Sequence, residues 1–361
     1  MKKSLSITSL LLALALASCG GTPSQSVEAS SEPAVEEDPL KVQVIVMSGQ
    51  SNMEGSTYYD NGKGWLRNAC TELEEEGHDP IEADLFFDGM PDVQCSYRGY
   101  YPYGGGNPAA NAHASNTSDK MAGKFLNLKV GMGQKDVAMG PEIGLGNVLH
   151  TNEIGTEEKP VYLIKSAFSG SSFKIQNGSK KHWKVADDNN GTEGELWTET
   201  KEFVHNNLKL IEDAGFHPEI KAWLWHQGES DTDNNQQAGE EQYGVFMRHL
   251  LAEFRSEFAS YAPEEDGENI AFVDCTIYDG TRLTYSGVDT LNETKRGIAA
   301  EKENNYIINA SCKDEGGLGL EIGGNQNLGG CYDTYHYVTK DLFRLGEAYG
   351  NILIDNDIIE H

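Results

Sequence analysis

The stretch that most constrains the fold of this chain is residues 42–55, which read VQVIVMSGQSNMEG. Residues 42–47 are apolar and rich in β-branched side chains, a pattern typical of a buried strand. The strand runs directly into Gly49 and then Ser51, so the serine hydroxyl falls at the strand's end. In open α/β sheets, the ligand crevice lies at the carboxyl ends of the strands. Ser51 is therefore a candidate nucleophile, although Gly, Ser and Asn also form ordinary turns.

Strand-like and helix-like segments alternate along the rest of the chain. The further strand-like segments are 161–167, 220–225, 270–277 and 306–309. The segments with helical spacing are 140–150, 195–214, 239–259, 290–304 and 339–351. This alternation predicts a parallel sheet covered by helices on both faces. We expect a three-layer α/β/α domain whose sheet is mainly parallel and has five strands.

The N-terminus has the organisation of a signal peptide, residues 1–18. Lys2 and Lys3 precede an apolar run at 10–16 that is too short to span a bilayer stably, and Leu-Ala-Ser-Cys ends at Cys19. This ending resembles a bacterial lipobox, which implies lipidation of Cys19 and membrane attachment in the bacterial cell envelope, facing outside the cytoplasm.

Composition divides the remainder of the chain. Residues 19–40 are rich in Gly, Ser, Pro and Glu and predict a flexible tether. We expect residues 41–361 to form one folded domain, with an insertion at about 58–135, because that segment shows no strong period.

The formal net charge of −29 argues against nucleic acid as a partner, because a phosphate backbone would be repelled. The chain has no His-Glu-x-x-His motif and no phosphate-cradling glycine loop. The sequence therefore predicts neither a metal nor a cofactor.

Five cysteines remain besides Cys19, and an exported chain can form disulfides. Closeness in sequence predicts the pairs Cys70–Cys95 and Cys312–Cys331. Cys275 lies in a strand-like run, so we expect a buried thiol there.

The polar groups needed for acyl transfer follow the predicted strands. Ser51 follows the first strand, Gly170 the second and Gln227 the third, and Asp333 and His336 follow the last. A serine nucleophile needs a histidine base and an acid that orients the histidine, and three-residue spacing brings Asp333 beside His336. The backbone N–H groups of Ser51 and Gly170 and the side-chain amide of Gln227 are candidate oxyanion donors.

Four sequence blocks together resemble the SGNH-hydrolase superfamily. They are GQSNM at 49–53, GPE at 140–142, HQGESD at 226–231 and DTYH at 333–336. Within the superfamily, the chain is similar to the branch that holds carbohydrate esterase family 6 and the sialic-acid-specific O-acetylesterases, and the resemblance covers residues 41 to about 352. It implies a flavodoxin-like α/β/α fold and cofactor-free removal of ester-linked acetyl groups from sugars.

Carried over residue by residue, the resemblance implies that Ser51 is the nucleophile, His336 the base and Asp333 the orienting acid. Glu229 belongs to a block that this branch retains, so it is a second candidate for the acid that orients His336. Gln227 stands where many superfamily members have an asparagine oxyanion donor.

We therefore expect a serine esterase that deacetylates an acetylated oligo- or polysaccharide through an acyl-enzyme, with an acetylxylan-type substrate favoured. The alternatives are a sialate O-acetylesterase and a short-chain lipid esterase. A more distant alternative is a carbohydrate-binding lipoprotein that has kept the fold without catalysis.

Overall fold

The computed structural model describes residues 39–60, 62–99, 124–135, 137–175, 182–189, 191–280, 286–323, 329–331 and 333–361. The predicted signal peptide, Cys19 and nearly all of the predicted tether lie outside these residues. Among the helices of the described part, none is long and apolar enough to cross a membrane.

The elements are numbered in chain order. The strands are β1 (Leu40–Gly49), β2 (Thr57–Tyr58), β3 (Met90–Arg98), β4 (Leu126–Leu128), β5 (Ala138–Met139), β6 (Val161–Ala167), β7 (Phe216–His226), β8 (Ala271–Cys275) and β9 (Asn305–Ile308). The α-helices are α1 (Ser51–Glu54), α2 (Trp65–Glu75), α3 (Leu85–Asp88), α4 (Glu142–Thr151), α5 (Glu195–Asp213), α6 (Asn235–Ala238), α7 (Val245–Glu257), α8 (Val288–Ala299) and α9 (Thr339–Asp355). A π-helical turn (Glu240–Gly244) leads into α7, and short 3₁₀ helices lie at Ala186–Asp188, Glu229–Asp231, Ala259–Tyr261, Pro263–Glu265 and Gly267–Asn269.

The central sheet has seven strands in the order β4-β3-β6-β1-β7-β8-β9. All neighbours pair in parallel except β3 and β4, which are antiparallel. Gly49 at the end of β1 lies opposite Ala167 of β6 and His226 of β7, so three strands end at one level of the sheet. The predicted α/β/α class is confirmed, and this level edge is where the candidate site forms.

The predicted number of five strands is wrong, because the segment 58–135 contributes β3 and β4 to the central sheet. β3 (MPDVQCSYR) mixes Pro, Asp and Gln with its buried apolar residues, which hides the strand pattern. The same segment also holds α2. Its buried residues are Leu66, Ala69, Cys70 and Leu73, which have helical spacing.

Both faces of the sheet are buried, as expected of a parallel sheet. Successive side chains of β1 point to opposite sides: Ile45 and Met47 join one apolar cluster, whereas Val44 and Val46 join the other. Residues of α2, α4 and α9 cover the first face, and residues of α5, α7 and α8 cover the second. The two helical layers hold the strand ends in place.

The predicted disulfides Cys70–Cys95 and Cys312–Cys331 are wrong, because the cysteines in the described part of the chain are all thiols. Cys70 and Cys95 pack in the apolar core as small hydrophobic side chains. The sulfur atoms of Cys312 and Cys331 instead lie 2.8 and 3.5 Å from backbone carbonyl oxygens. The buried thiol expected at Cys275 is confirmed.

Candidate active site

The candidate nucleophile follows a tight junction between β1 and β7. Gly49 has φ of 149°, and a Cβ at this position would lie 2.1 Å from the carbonyl oxygen of His226. Only glycine therefore allows this approach. The backbone N–H of Gln50 then donates to the same oxygen at 2.9 Å. The chain turns at once into α1, which places Ser51 at the first position of that helix.

The candidate base and its acid form a close pair. His336 Nδ1 lies 2.6 Å from Asp333 Oδ2. Asp333 Oδ1 accepts hydrogen bonds from the backbone N–H groups of Tyr335 at 2.8 Å and His336 at 3.0 Å. Burial raises the pKa of Asp333, but the hydrogen bond and charge of His336 outweigh it and lower the pKa to about 2. An ionised Asp333 holds the proton on Nδ1, which leaves Nε2 as the basic nitrogen.

Asn52 fixes the loop that carries His336 next to the nucleophile. Asn52 Nδ2 donates to the carbonyl oxygen of Tyr335 at 3.3 Å, and Asn52 Oδ1 accepts from the backbone N–H of Tyr337 at 3.2 Å. These two bonds hold the residues on either side of His336. Because Asn52 directly follows Ser51, the candidate nucleophile and the candidate base are brought together by one side chain.

Glu229 contacts this clamp, not the histidine. Its Oε1 accepts from Asn52 Nδ2 at 2.8 Å and lies 3.7 Å from His226 Nε2. Burial raises the pKa of Glu229. In the described residues, Glu229 forms neither a hydrogen bond nor an ion pair with His336. The geometry therefore pairs His336 with Asp333 and gives Glu229 the task of holding Asn52.

Two of the three predicted oxyanion donors have backbone N–H groups available for a ligand. The N–H of Ser51 is at the start of α1, where helical N–H groups have no partner within the helix. Gly170 has φ of 67° in the turn after β6. Neither N–H donates to any residue that the structure describes. Both can serve a negatively charged oxygen at the sheet edge.

The third predicted donor, Gln227, has its amide committed elsewhere. Gln227 Nε2 donates to the carbonyl oxygen of Ser171 at 3.0 Å and to Asp231 Oδ2 at 2.8 Å, and it lies 3.2 Å from Gln50 Oε1. An amide has only two hydrogens, and these acceptors use both. The prediction of Gln227 as an oxyanion donor does not fit this geometry, because its side chain fastens the turn after β6 to β7.

Two polar residues of this arrangement had no predicted role, Asn52 and Asp231. The buried Asp231 accepts hydrogen bonds from Gln227 and Gln237 and from the backbone N–H groups of Phe173 and Lys174. Both residues stand inside the blocks quoted above. Their roles could have been suspected because each is an amide or carboxylate within a block that already holds a predicted site residue.

Cys331, Asp333 and His336 are a potential metal-binding group, since each offers one ligand atom within 4.8 Å of the others. A cation bound there would compete with the hydrogen bond between Asp333 and His336. We therefore assign the group to this pair.

A serine follows a parallel strand, its neighbour Asn52 bonds the loop of an Asp–His pair, and two backbone N–H groups have no partner in the described residues. This is the arrangement that a candidate serine hydrolase site on an α/β/α fold requires. The fold is shared with two solved structures. A protein from Arabidopsis thaliana is similar with a TM-score of 0.52 and 16% identity, over 87% of this chain and 98% of its own. NanS is similar with a TM-score of 0.55 and 11% identity, over 89% of this chain and 98% of its own. No curated protein matches the sequence.

Residues 109–355 match the family model for the carbohydrate esterase, sialic acid-specific acetylesterase family. The match covers more than half of the chain, so the chain belongs to this family of carboxylic ester hydrolases, and the predicted resemblance is confirmed. Gly170, Glu229, Asp333 and His336 lie inside the matched segment, whereas Ser51 precedes it. The assignment of Ser51 therefore depends on its geometry.

Proposed function

We propose that this protein removes O-acetyl groups from carbohydrates through an acyl-enzyme on Ser51. The main support is the position of Asn52, which holds the His336 loop beside Ser51 while Asp333 binds His336 Nδ1 at 2.6 Å. Because Asp333 bonds Nδ1 of His336, we assign His336 Nε2 as the base and Asp333 as the acid that orients it.

The proposed reaction has two symmetric halves. Ser51 Oγ attacks the acetyl carbonyl carbon while His336 Nε2 takes its proton, and the backbone N–H groups of Ser51 and Gly170 stabilise the negative oxygen. The bond from carbon to the sugar oxygen then breaks, and His336 returns the proton to that oxygen. Water next attacks the acetyl-serine while His336 takes its proton, the bond from the acetyl carbon to Ser51 Oγ breaks, and His336 returns the proton to Oγ, which releases acetate and restores Ser51.

Among acetylated carbohydrates, we favour a neutral, acetylxylan-type polysaccharide. A formal charge of −29 disfavours the approach of anionic ligands through the long-range field. The second candidate is acetylated sialic acid, which is favoured by the description of the matching family.

The test is acetate release from acetylated xylan, O-acetylated sialic acid, and p-nitrophenyl acetate and butyrate. We expect acetate from at least one carbohydrate, with acetylated xylan giving the highest kcat/KM. Ser51→Ala should abolish release. Ser56→Ala is the matched control, because the one bond of the Ser56 hydroxyl within the described residues is to the Ser51 carbonyl oxygen, and it should retain activity within about threefold.

Each alternative gives its own outcome in this panel. A higher kcat/KM on sialic acid would replace the xylan assignment, and turnover of butyrate without carbohydrate turnover would indicate a lipid esterase. Polysaccharide binding without acetate release, unchanged in Ser51→Ala, would indicate a binding protein and overturn the proposal.

We also propose that a lipid on Cys19 attaches the protein to a membrane of the bacterial envelope. The support is the Leu-Ala-Ser-Cys ending at Cys19 and the polar composition of residues 19–40. Expressed as the full chain in a bacterial host, the wild type should partition into detergent, and Cys19→Ala should remain in the aqueous phase. Equal partitioning of the two proteins would contradict lipid attachment.

A further inference from the structure

Glu54 is a buried acid beside the proposed nucleophile to which the mechanism above gives no role. It is the last residue of α1, three positions after Ser51, and it has no solvent exposure. Its Oε2 accepts from the backbone N–H of Ser169 at 2.8 Å, from the Ser169 hydroxyl and from Gln134 Nε2 at 3.3 Å. Its Oε1 accepts from the Tyr97 hydroxyl at 3.0 Å.

These contacts connect the two proposed oxyanion donors. The first donor, the N–H of Ser51, begins α1, and Glu54 ends the same helical turn. Glu54 fixes Ser169, the residue directly before the second donor, Gly170. We propose that Glu54 is a positioning residue for acetyl transfer, whose carboxyl group sets the spacing between the backbone donors of Ser51 and Gly170. This inference rests on the proposed function.

The charges around Glu54 set it apart from an ordinary buried ion pair. Lys165 Nζ lies 2.8 Å from Glu142 Oε2, and both side chains are fully buried. The same ammonium donates to the backbone carbonyl oxygens of Glu54 at 3.0 Å and Met132 at 2.6 Å. Within the described part of the chain, no cation forms an ion pair with the Glu54 carboxyl group. The charge of Lys165 acts on Glu54 only from a distance and lowers its pKa less than burial raises it. A buried acid without a direct ion pair is costly, which favours a functional reason for its presence.

The protonation state of Glu54 affects the same contacts. Burial raises the pKa of Glu54 to about 7. The groups that face its cluster are Tyr97 from β3, Glu142 from α4 and Lys165 from β6, with neutral Gln134 and Ser169. An ionised Glu54 accepts from every donor aimed at it, whereas a protonated Glu54 must donate to a hydroxyl that then turns its own hydrogen away. We expect the ionised form to hold the Ser169 turn in the active geometry.

The test compares Glu54→Gln with Tyr97→Phe on the carbohydrate that gives the most acetate. Glu54→Gln should lower kcat by about 10- to 100-fold and leave KM within about twofold, because oxyanion donors act in the transition state. Tyr97→Phe removes the hydrogen bond to Glu54 Oε1, the carboxyl oxygen that does not contact Ser169. This bond lowers the pKa of Glu54, so the two variants are compared at about pH 9, where Glu54 stays ionised, and there Tyr97→Phe should keep kcat within about threefold. Protonation of Glu54 should cost the wild type the same factor of about 10 to 100, so log kcat should fall more steeply in the wild type than in Glu54→Gln over about one to two pH units below 7.

Ser169→Ala carries the test if Glu54→Gln does not fold, as judged by circular dichroism. It removes the hydroxyl contacts with Glu54 and Gln134 and keeps the backbone N–H bond to Glu54, so we expect about a 3- to 10-fold loss of kcat at unchanged KM. The inference is overturned if Glu54→Gln is folded with kcat within threefold of wild type, or if Tyr97→Phe loses as much activity. It is also overturned if the folded Ser169→Ala retains full kcat in the absence of a folded Glu54→Gln. A wild type without acetate release refutes the proposed function, whereas an active wild type with active variants refutes only the role of Glu54.

Discussion

The acids on the two sides of Ser51 have opposite environments. Asp333 has a side chain that is 40% exposed, and its hydrogen bond to His336 holds its pKa down at about 2. Glu54 in α1 is fully buried, the side chain of Glu229 in the 3₁₀ helix after β7 is only 9% exposed, and burial raises the pKa of both. The difference teaches how the work is divided. The ionised acid at the surface pairs with the base, and the buried acids hold the peptide segments that carry the reacting groups.

The largest expected effect separates Asp333 from Glu229. Asp333→Asn should lower kcat by about 10³- to 10⁴-fold, because an amide no longer fixes the proton on His336 Nδ1. Glu229→Gln should lower kcat by no more than about tenfold, because a glutamine oxygen can still accept from Asn52. Steady-state acetate release measures both variants. Equal losses of kcat in the two variants would contradict the division of roles between Asp333 and Glu229. A greater loss in Glu229→Gln would make Glu229 the orienting acid.

The second prediction uses the opposite effects of the two acids on stability. The pKa of Glu54 rises from 4.5 to about 7 on folding, because burial favours the neutral carboxyl group. The stability that the neutral form contributes is therefore fully present below about pH 4.5 and is lost as the pH rises through about 7. The shift corresponds to about 3 kcal/mol. The free energy of unfolding of Glu54→Gln minus that of wild type should therefore increase by about 3 kcal/mol when the pH is raised from about 4.5 to 8.

For Asp333, the sign is reversed. Its pKa falls from 3.8 to about 2 on folding, so its stabilisation is present above 3.8 and is lost as the pH falls through about 2. The stability difference between wild type and Asp333→Asn should therefore shrink in acid. Urea unfolding at several pH values measures both differences, and a difference between wild type and Glu54→Gln that does not vary with pH would refute the buried-acid description.

These contrasts separate what the sequence predicted from what it could not. The positions of Ser51, Gly170 and His336 at one sheet edge were predictable, because parallel strands end at the same edge and the motifs follow those strands. The direction of the Gln227 amide was not predictable, because it depends on Asp231 and on the turn after β6.

The errors have the same physical origin. Spacing alone suggested disulfides, but connectivity depends on where the chain folds, and the thiols of Cys70 and Cys95 are used in the core. The choice between Asp333 and Glu229 stayed open in the sequence because it is decided by a contact with Asn52.

The third prediction tests the Asn52 clamp, which joins α1 to the loop that carries His336. Asn52→Ala removes the hydrogen bonds to Tyr335 and Tyr337 and leaves His336 less fixed beside Ser51. A misplacement of catalytic groups by about 1 Å can cost about 100-fold, so we expect kcat to fall by about 10- to 100-fold with little change in KM. Acetate-release kinetics at a temperature where the variant is folded measure the effect. A variant with wild-type kcat would show that the His336 loop needs no clamp from α1.

The smallest expected effect concerns the two tyrosines that flank His336. Tyr335 is 47% exposed at the surface side of the site, whereas Tyr337 is fully buried, and its hydroxyl has no partner in the described residues. The backbone of Tyr335 is held by Asp333 and Asn52, which keeps its exposed ring next to His336, where it can pack against a sugar. Tyr335→Ala should raise KM for the acetylated polysaccharide by about fivefold and leave methyl acetate turnover unchanged, and Tyr335→Phe should restore KM.

Tyr337→Phe is the buried control and should change the kinetics on neither substrate, since it removes a hydroxyl without a partner in the described residues. Equal losses on polysaccharide and methyl acetate would mean that Tyr335 positions the catalytic groups. A loss confined to the polysaccharide would assign sugar recognition to the exposed surface beside the Asp333–His336 pair.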